Sequence, residues 1–136
     1  MKPYESWMLK AYHDLISARK LAYGDEPILD TAIFHTQQCA EKALKAYLSY
    51  KQQPLQKIHN LRLLAELCQD IDNAFVDVLD EAEDLSPYAT AYRYPDMSME
   101  PEIREVESAI KQAEGIFDFV RQRLPLSDDV IVKITG

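Results

Sequence analysis

Apolar residues recur along most of this chain at alternating steps of three and four, the spacing of one face of an α-helix. The pattern predicts helices over about 4–23, 28–52, 61–69, 71–83 and 101–123. The last of these keeps the strictest rhythm, with apolar side chains at Ile103, Val106, Ile110, Ala113, Phe117, Val120 and Leu124. Ser86-Pro87 would begin one further short turn, and Asn60 is a candidate N-cap for the third helix.

Short connections between long helices favour antiparallel neighbours. We therefore expect an all-α fold, an antiparallel up-and-down helical bundle of four long helices plus one short helix. The bundle should occupy residues 1–125 as one domain, since 136 residues suit a single core. Residues 126–136 would form a C-terminal tail that contains a β-prone segment without a partner strand. We expect this tail to be loose or to lie on a neighbouring subunit.

The formal net charge is -8, and seven carboxylates fall between residues 70 and 84 without a Lys or Arg among them. The chain therefore lacks the broad basic surface that general nucleic-acid binding requires. The acidic run is interpreted as a solvated helix face, with a docking surface for a basic partner as the alternative.

Two cysteines lie within helical patterns, at positions 39 and 68, which favours buried thiols in a reducing compartment. No signal peptide is recognisable, and the apolar runs are too short to cross a membrane. We therefore expect a cytoplasmic protein without a membrane-bound part.

The second helix carries a polar stripe beside its apolar one. Gln37, Glu41 and Lys45 are four residues apart and stack on one face, with Gln38 and Lys42 beside them. The stripe could consist of surface ion pairs only. Alternatively, it could form one wall of a polar cleft, in which the lysines bind phosphate.

Two later residues could complete such a cleft. His59 follows the second helix in a loop, where it could cap a helix, hold the loop or face a ligand. Arg93 lies between Tyr92 and Tyr94, and an Arg beside aromatic rings suits a planar anion or a stacked base. In the alternative, Arg93 pairs with Glu41 or another acidic residue and locks its loop to the bundle.

Other kinds of site are not indicated. No His is paired at the spacing of a helical metal site, so no metal is expected. The chain has neither a Gly-rich phosphate loop nor a G-x-S-x-G motif, and Cys39 has no neighbouring dyad that would activate it.

Three motifs resemble those of the HEPN domain. They are Gln-Gln-Cys-Ala-Glu-Lys-Ala-Leu-Lys at 37–45, His-Asn-Leu at 59–61 and Ala-Tyr-Arg-Tyr-Pro at 91–95. Residues 11–18 also fit the first helix of that family, and the resemblance spans about residues 4–124. It implies an up-and-down helical bundle, commonly a homodimer, that is linked to nucleotide binding and often acts beside a minimal nucleotidyltransferase.

Many members of the family are RNases that act as toxins or in defence, and these use an Arg followed by four to six residues and a His. None of the three histidines here, His13, His35 and His59, has an Arg at the required distance before it. We therefore expect a non-catalytic protein.

The resulting hypothesis is a HEPN-type protein that binds ATP or another nucleotide-like anion and acts with a nucleotidyltransferase partner. An RNase with an altered site and a purely structural interaction module are the alternatives. A homodimer through the first, second or last helix is expected, because aromatic residues lie outside the main stripes at Trp7, Tyr12, Phe34, Tyr50 and Phe119. The predicted ligand-binding residues are Gln38, Glu41, Lys42, Lys45, His59, Arg93 and Tyr94.

Overall fold

The structure, a computed structural model, describes residues 1–54, 57–95 and 99–135, and its regular elements are all helical. The α-helices are α1 (Pro3–Tyr23), α2 (Leu29–Tyr50), α3 (Leu61–Ile71), α4 (Leu79–Leu85), α5 (Ile103–Arg121) and α6 (Asp128–Thr135). Short 3₁₀-helices precede and follow α4, at Asn73–Val78 and Ser86–Ala89. The predicted all-α fold class is confirmed.

The two longest helices, α1 and α2, form the centre of the molecule as an antiparallel hairpin, and α5 packs across both. Their contact faces are rich in small residues, including Ala11, Ala18, Ala40 and Ala43, all completely buried. Small side chains let the helix backbones approach closely. Larger apolar residues from the predicted stripes, Met8, Leu15, Ile33, Leu44, Phe117 and Val120, fill the spaces between them.

The predicted helix over 71–83 is divided in the structure. Asp72 has an extended backbone, and its side chain accepts a hydrogen bond of 3.0 Å from the Ala74 N–H. This contact ends α3 and begins a separate 3₁₀-helix, so that α4 begins only at Leu79. Phe75 and Ala82 are nevertheless buried, as the apolar pattern predicted. The Asn60 cap is also confirmed, because its side chain accepts from the Leu63 N–H at 3.1 Å.

The prediction of a loose tail is wrong, since Asp128–Thr135 forms the helix α6. Its first turn carries Asp128 and Asp129, which favour a helix N-terminus, and the Ser127 hydroxyl accepts from the Val130 N–H at 3.4 Å. Val130 and Ile134, one turn apart, are buried. Burial of this apolar pair outweighs the β-propensity of the individual residues.

A buried carboxylate ties α6 to α1. Glu5 accepts a hydrogen bond of 2.7 Å from the Ser127 N–H and another of 3.0 Å from the Lys2 N–H. These two backbone donors hold the pKa of the Glu5 carboxyl below its ordinary value.

The five aromatic residues that suggested a dimer are only half-buried, and all five contact neighbours within the chain. Four of them pack against the core. Phe34 lies instead beneath the Arg93 guanidinium. The homodimer therefore stays a prediction, with weaker support from these residues than the sequence suggested. Within the described ranges, no helix is both long and apolar enough to span a membrane.

Candidate functional site

The polar residues of the α2 stripe belong to two separate groups of interacting side chains. The first, here called the inner cluster, consists of Gln37, Glu41, Lys45 and His59. The Glu41 carboxylate is its centre: Lys45 Nζ donates to Oε2 at 3.0 Å, Gln37 Nε2 donates to Oε1 at 3.1 Å, and His59 Nδ1 lies 3.2 Å from Oε1. Glu41 and Lys45 are only 6% and 7% exposed, so both charges are held away from water.

Further contacts close the inner cluster. Gln37 Nε2 also donates to the backbone carbonyl of His59 at 3.2 Å, which holds the His59 backbone against α2. Gln38 donates to Gln37 Oε1 at 2.7 Å, and the Lys45 ammonium lies 5.9 Å from the centre of the Trp7 ring. Gln37, Glu41 and Lys45 thus bind mainly to one another, which is the structural role considered for the stripe, whereas the His59 side chain is 67% exposed and contacts Glu41 from the surface.

The second group, the Asp14 triad, links α1 to the outer side of the stripe. Asp14 is buried on α1 and binds His35 Nδ1 through Oδ1 and Lys42 Nζ through Oδ2, both at 2.7 Å. Because an ionised carboxylate only accepts, Nδ1 of His35 must carry the proton that it shares with Asp14. The ammonium of Lys42 offsets the charge of the buried carboxylate.

Sequence reasoning assigned Asp14 and His35 no role in the site. A signal was present, because Asp14 lies between Ala11, Leu15 and Ala18 on the apolar side of α1. A carboxylate there has to find a buried partner. Which partner it finds depends on the packing of α1 against α2, which the sequence pattern alone did not specify.

An open pocket of about 310 Å³ adjoins the triad, between the beginning of α2 and residues 92–93. We call it the Arg93 pocket. The central guanidinium carbon of Arg93 lies 4.0 Å from the centre of the Phe34 ring, and Nη1 is 3.5 Å from the Ala89 carbonyl. The pocket is lined by Asp30, Thr31, Phe34, His35, Tyr92 and Arg93.

Arg93 has no ion-pair partner in the part of the chain that the structure describes. The alternative in which Arg93 pairs with Glu41 is therefore not observed, because Glu41 is occupied within the inner cluster. Stacking on Phe34 occupies one face of the guanidinium and leaves N–H groups at its edge available to an anion.

Two tyrosines hold the loop that carries Arg93. The hydroxyls of Tyr88 and Tyr92 donate to the Glu105 carboxylate at 2.7 and 2.8 Å, and Tyr92 has a left-handed backbone with φ 68°. A tyrosine adopts that conformation only when its surroundings impose it. The hydrogen bond to Glu105 raises the pKa of Tyr92, and burial together with the same carboxylate raises the pKa of Tyr88.

The seven predicted ligand-binding residues therefore do not line one cleft. The inner cluster contains Glu41, Lys45 and His59, and Gln38 binds at its edge. Lys42 belongs to the Asp14 triad. Arg93 and the exposed Tyr94 lie on the loop, where Tyr94 lines a second open pocket next to the first.

Neither a metal centre nor an activated thiol is indicated in the described parts of the chain. Among these residues, no group of three or more His, Cys, Asp or Glu side chains could hold a metal ion. Both cysteines are buried and unpaired, and burial raises the pKa of the Cys68 thiol to about 12 and that of Cys39 still further. Neither sulfur is therefore a thiolate at neutral pH.

Known proteins with the same arrangement of helices provide a comparison. The model of the HEPN domain family matches residues 4–123. A similar solved structure is TT1696 from Thermus thermophilus, 31% identical, with a TM-score of 0.74 over 91% of this chain and 100% of that one. Another is ST0689, described as an archaeal HEPN homologue, 30% identical, with a TM-score of 0.69 over 90% and 98% of the two chains. The comparison with curated proteins gave no match.

Proposed function

This chain belongs to the HEPN domain family, and on that premise we propose that it is a non-catalytic protein that binds a nucleotide or a nucleotide-like anion. In this proposal it acts in the cytoplasm beside a minimal nucleotidyltransferase. The binding site is the Arg93 pocket rather than the whole polar stripe of α2.

The availability of Arg93 carries the proposal. Lys42 and Lys45 each donate to a carboxylate inside the protein, and His59 Nδ1 lies against Glu41. Of the cations predicted to bind the ligand, only Arg93 lacks a carboxylate partner within the described ranges. A planar guanidinium that is stacked on a ring, and thereby oriented, suits bidentate recognition of phosphate.

The size of the pocket limits the ligand. A volume of about 310 Å³ is at the lower end of the range for small-molecule sites, which begins at about 300 Å³. The pocket is also open to solvent, and Arg93 is the cation among its lining residues. We therefore expect weak binding, with a Kd of tens of micromolar or higher, or about -7 to -5 kcal/mol.

Isothermal titration calorimetry with ATP and with AMP tests the proposal. Arg93→Gln should weaken binding at least about tenfold, which corresponds to about 1.4 kcal/mol. Arg121→Gln is the matched control, because Arg121 lies at the opposite end of α5 from the Glu105 anchor. Its replacement should leave the affinity unchanged. No heat with either nucleotide at millimolar concentration would overturn the proposal.

The absence of catalysis has a separate test. The chain lacks the Arg and His at the spacing that RNases of the family use, so RNA incubated with the protein should remain intact. Cleavage by wild-type protein that disappears in His59→Ala or His35→Asn would instead support an RNase with an altered site.

A purely structural interaction module is the second candidate. It is favoured by the ion pairs of Lys42 and Lys45: Lys42 joins α2 to Asp14 on α1, and Lys45 pairs with Glu41 on α2 itself, so neither ammonium is free for a ligand. The calorimetry separates the two functions, since the structural module predicts no nucleotide binding in either the wild type or the variants.

The nucleotidyltransferase partner is proposed from family membership. A nucleotidyltransferase reading frame next to the gene would identify the protein to test. Coexpression with an affinity tag on that enzyme should then recover this chain in a defined stoichiometry. Separate elution of the two proteins in size-exclusion chromatography would argue against the partnership.

A further inference from the structure

His35 joins α2 to Asp14 on α1, and its ring is also oriented towards the Arg93 pocket. Its Nδ1 binds the buried Asp14, and the ring is 26% exposed along the wall of the Arg93 pocket. No hydrogen-bond partner for Nε2 is found in the described part of the chain. A neutral imidazole that donates from Nδ1 has a lone pair at Nε2, so His35 offers an oriented acceptor.

Asp30 is a second acceptor in the same pocket. Its Oδ1 accepts from the backbone N–H of Thr31 at 2.7 Å and from the Thr31 hydroxyl at 3.2 Å. Its other oxygen has no hydrogen-bond partner within the described residues. The pocket therefore combines a cationic donor, Arg93, with two acceptors, Asp30 and His35.

This combination selects among anions. Inorganic phosphate could bind Arg93, but it would meet the Asp30 charge, and as HPO4²⁻ it has a single hydroxyl for the two acceptors. A ligand that carries hydroxyl groups next to its phosphate could satisfy all three residues. Buried or half-buried polar groups discriminate strongly against ligands that lack the matching hydrogen-bonding group.

We propose that the Arg93 pocket binds the phosphate ester of a polyhydroxy compound, with Arg93 on the phosphate and His35 Nε2 and Asp30 accepting hydrogen bonds from neighbouring hydroxyls. The inference rests on the proposed nucleotide binding and narrows it to ribose phosphates. The sugar, rather than the base, then supplies most of the selectivity.

Calorimetry at about pH 8 with three probes tests the inference. The probes are AMP, 2′,3′-dideoxy-AMP and inorganic phosphate. For the wild-type protein, we expect AMP to bind about tenfold more tightly than dideoxy-AMP, since one or two hydrogen bonds are lost with the hydroxyls. Inorganic phosphate should bind more weakly still.

His35→Asn is the decisive variant. The Asn amide can still donate to Asp14, but it has no group in the place of Nε2. It should therefore reduce the preference for AMP over dideoxy-AMP and leave dideoxy-AMP binding unchanged. Arg93→Gln should instead weaken both nucleotides by the same factor. Asp30→Asn provides an independent test if His35→Asn does not fold, because it should also reduce the preference for AMP.

The failures are distinguishable. Equal binding of AMP and dideoxy-AMP to the wild-type protein, with both weakened by Arg93→Gln, would overturn the inference and leave the proposed function standing. No binding of any nucleotide would overturn the proposed function, and the inference with it. A preference for AMP that survives in both His35→Asn and Asp30→Asn would overturn the inference too, because other residues would then recognise the hydroxyls.

Discussion

The inner cluster and the Arg93 pocket are built on the same helix but differ in how far their polar groups are satisfied. In the inner cluster, Glu41 receives hydrogen bonds from two α2 side chains and contacts the His59 ring, and little of it reaches water. In the pocket, Arg93 stacks on Phe34 and has one long contact to a backbone carbonyl.

The difference separates two uses of polar residues along α2. A buried charge with all its partners in place stabilises one arrangement of helices, and removing one partner is costly. An exposed charge without a partner contributes little to stability, but it remains available to a ligand. Mutations in the two regions should therefore affect different measurements, folding stability in one and binding in the other.

The largest expected effect is that of Glu41→Ala. It leaves the Lys45 ammonium in a site that is only 7% exposed, without its carboxylate. We expect a loss of about 3–5 kcal/mol in the free energy of unfolding, the usual range for a broken buried ion pair. Urea unfolding followed by circular dichroism measures it.

Glu66→Ala is the matched control, because Glu66 is exposed on α3 and lies 3.9 Å from Arg62. A surface pair of this kind contributes less than about 1 kcal/mol. If Glu66→Ala and Glu41→Ala destabilise the protein equally, the inner cluster does not have the role assigned to it here.

Asp14→Asn should have a smaller effect on folding, since the triad lies between the two regions. The Lys42 and His35 side chains are 27% and 26% exposed, so water can compensate for part of the lost charge. We expect a loss of about 1–3 kcal/mol in the free energy of unfolding.

The same variant should also reduce the preference for AMP over dideoxy-AMP, because His35 is no longer oriented. Asp14 thus differs from Glu41 and Arg93, since its replacement should change both stability and ligand preference. A variant that loses stability but keeps the preference would show that His35 is positioned by something other than Asp14.

Much of the fold followed from the sequence because the apolar periodicity is strong. Most helix limits, the Asn60 cap and the buried faces of α1, α2 and α5 were predictable from spacing and end signals. The tail was not, because Val130 and Ile134 are β-prone in isolation and become helical by packing against α1. That contact is tertiary, and local propensity cannot show it.

The candidate site was less predictable. Residue spacing placed Glu41 and Lys45 on one helical face, where the structure also has them. It could not show that both are buried and paired with each other. Nor could it show that His35 shares a carboxylate with Lys42, since Asp14 lies on a different helix. Residue spacing predicts which side chains can contact one another, whereas the packing of the helices determines which of them remain free to bind a ligand.

Tyr92→Phe should alter the pocket with little effect on stability. The change removes the hydrogen bond from the hydroxyl to Glu105, so the loop should hold Arg93 less firmly. We expect AMP affinity to fall about threefold, while the free energy of unfolding changes by less than about 1 kcal/mol. A calorimetric titration and a urea curve on the same sample measure both.

The same contact gives a pH dependence with a defined sign. The pKa of Tyr92 is raised, so its hydrogen bond stabilises the folded loop at pH values below the ordinary phenol pKa of about 10. That contribution is lost as the pH rises above this value through the raised pKa. Tyr92→Phe should therefore differ from wild type in loop protection against hydrogen exchange at about pH 8, and the difference should shrink as the pH rises above about 10. A difference that grows with pH would contradict this assignment.

The smallest expected effect concerns the predicted homodimer. Dimerisation would change the contrast between the inner cluster and the Arg93 pocket only if the dimer interface covered that pocket. We expect twice the chain mass of 15.7 kDa in light scattering at about 100 μM protein. Asp80→Lys with Asp84→Lys should leave that mass unchanged, because an acidic run facing its symmetry copy would repel it, so the run should lie outside the interface.

Ser6→Glu should shift the mass towards the monomer, since Pro3, Trp7 and Lys10 surround Ser6 in an open, largely apolar patch on α1. In a symmetric dimer the introduced carboxylates of the two subunits would repel each other across the two-fold axis. The substitution leaves the contact between Trp7 and Lys45 within the chain intact. A monomer at this concentration would refute the dimer, and a dimer sensitive only to the aspartates would place its interface on the acidic run.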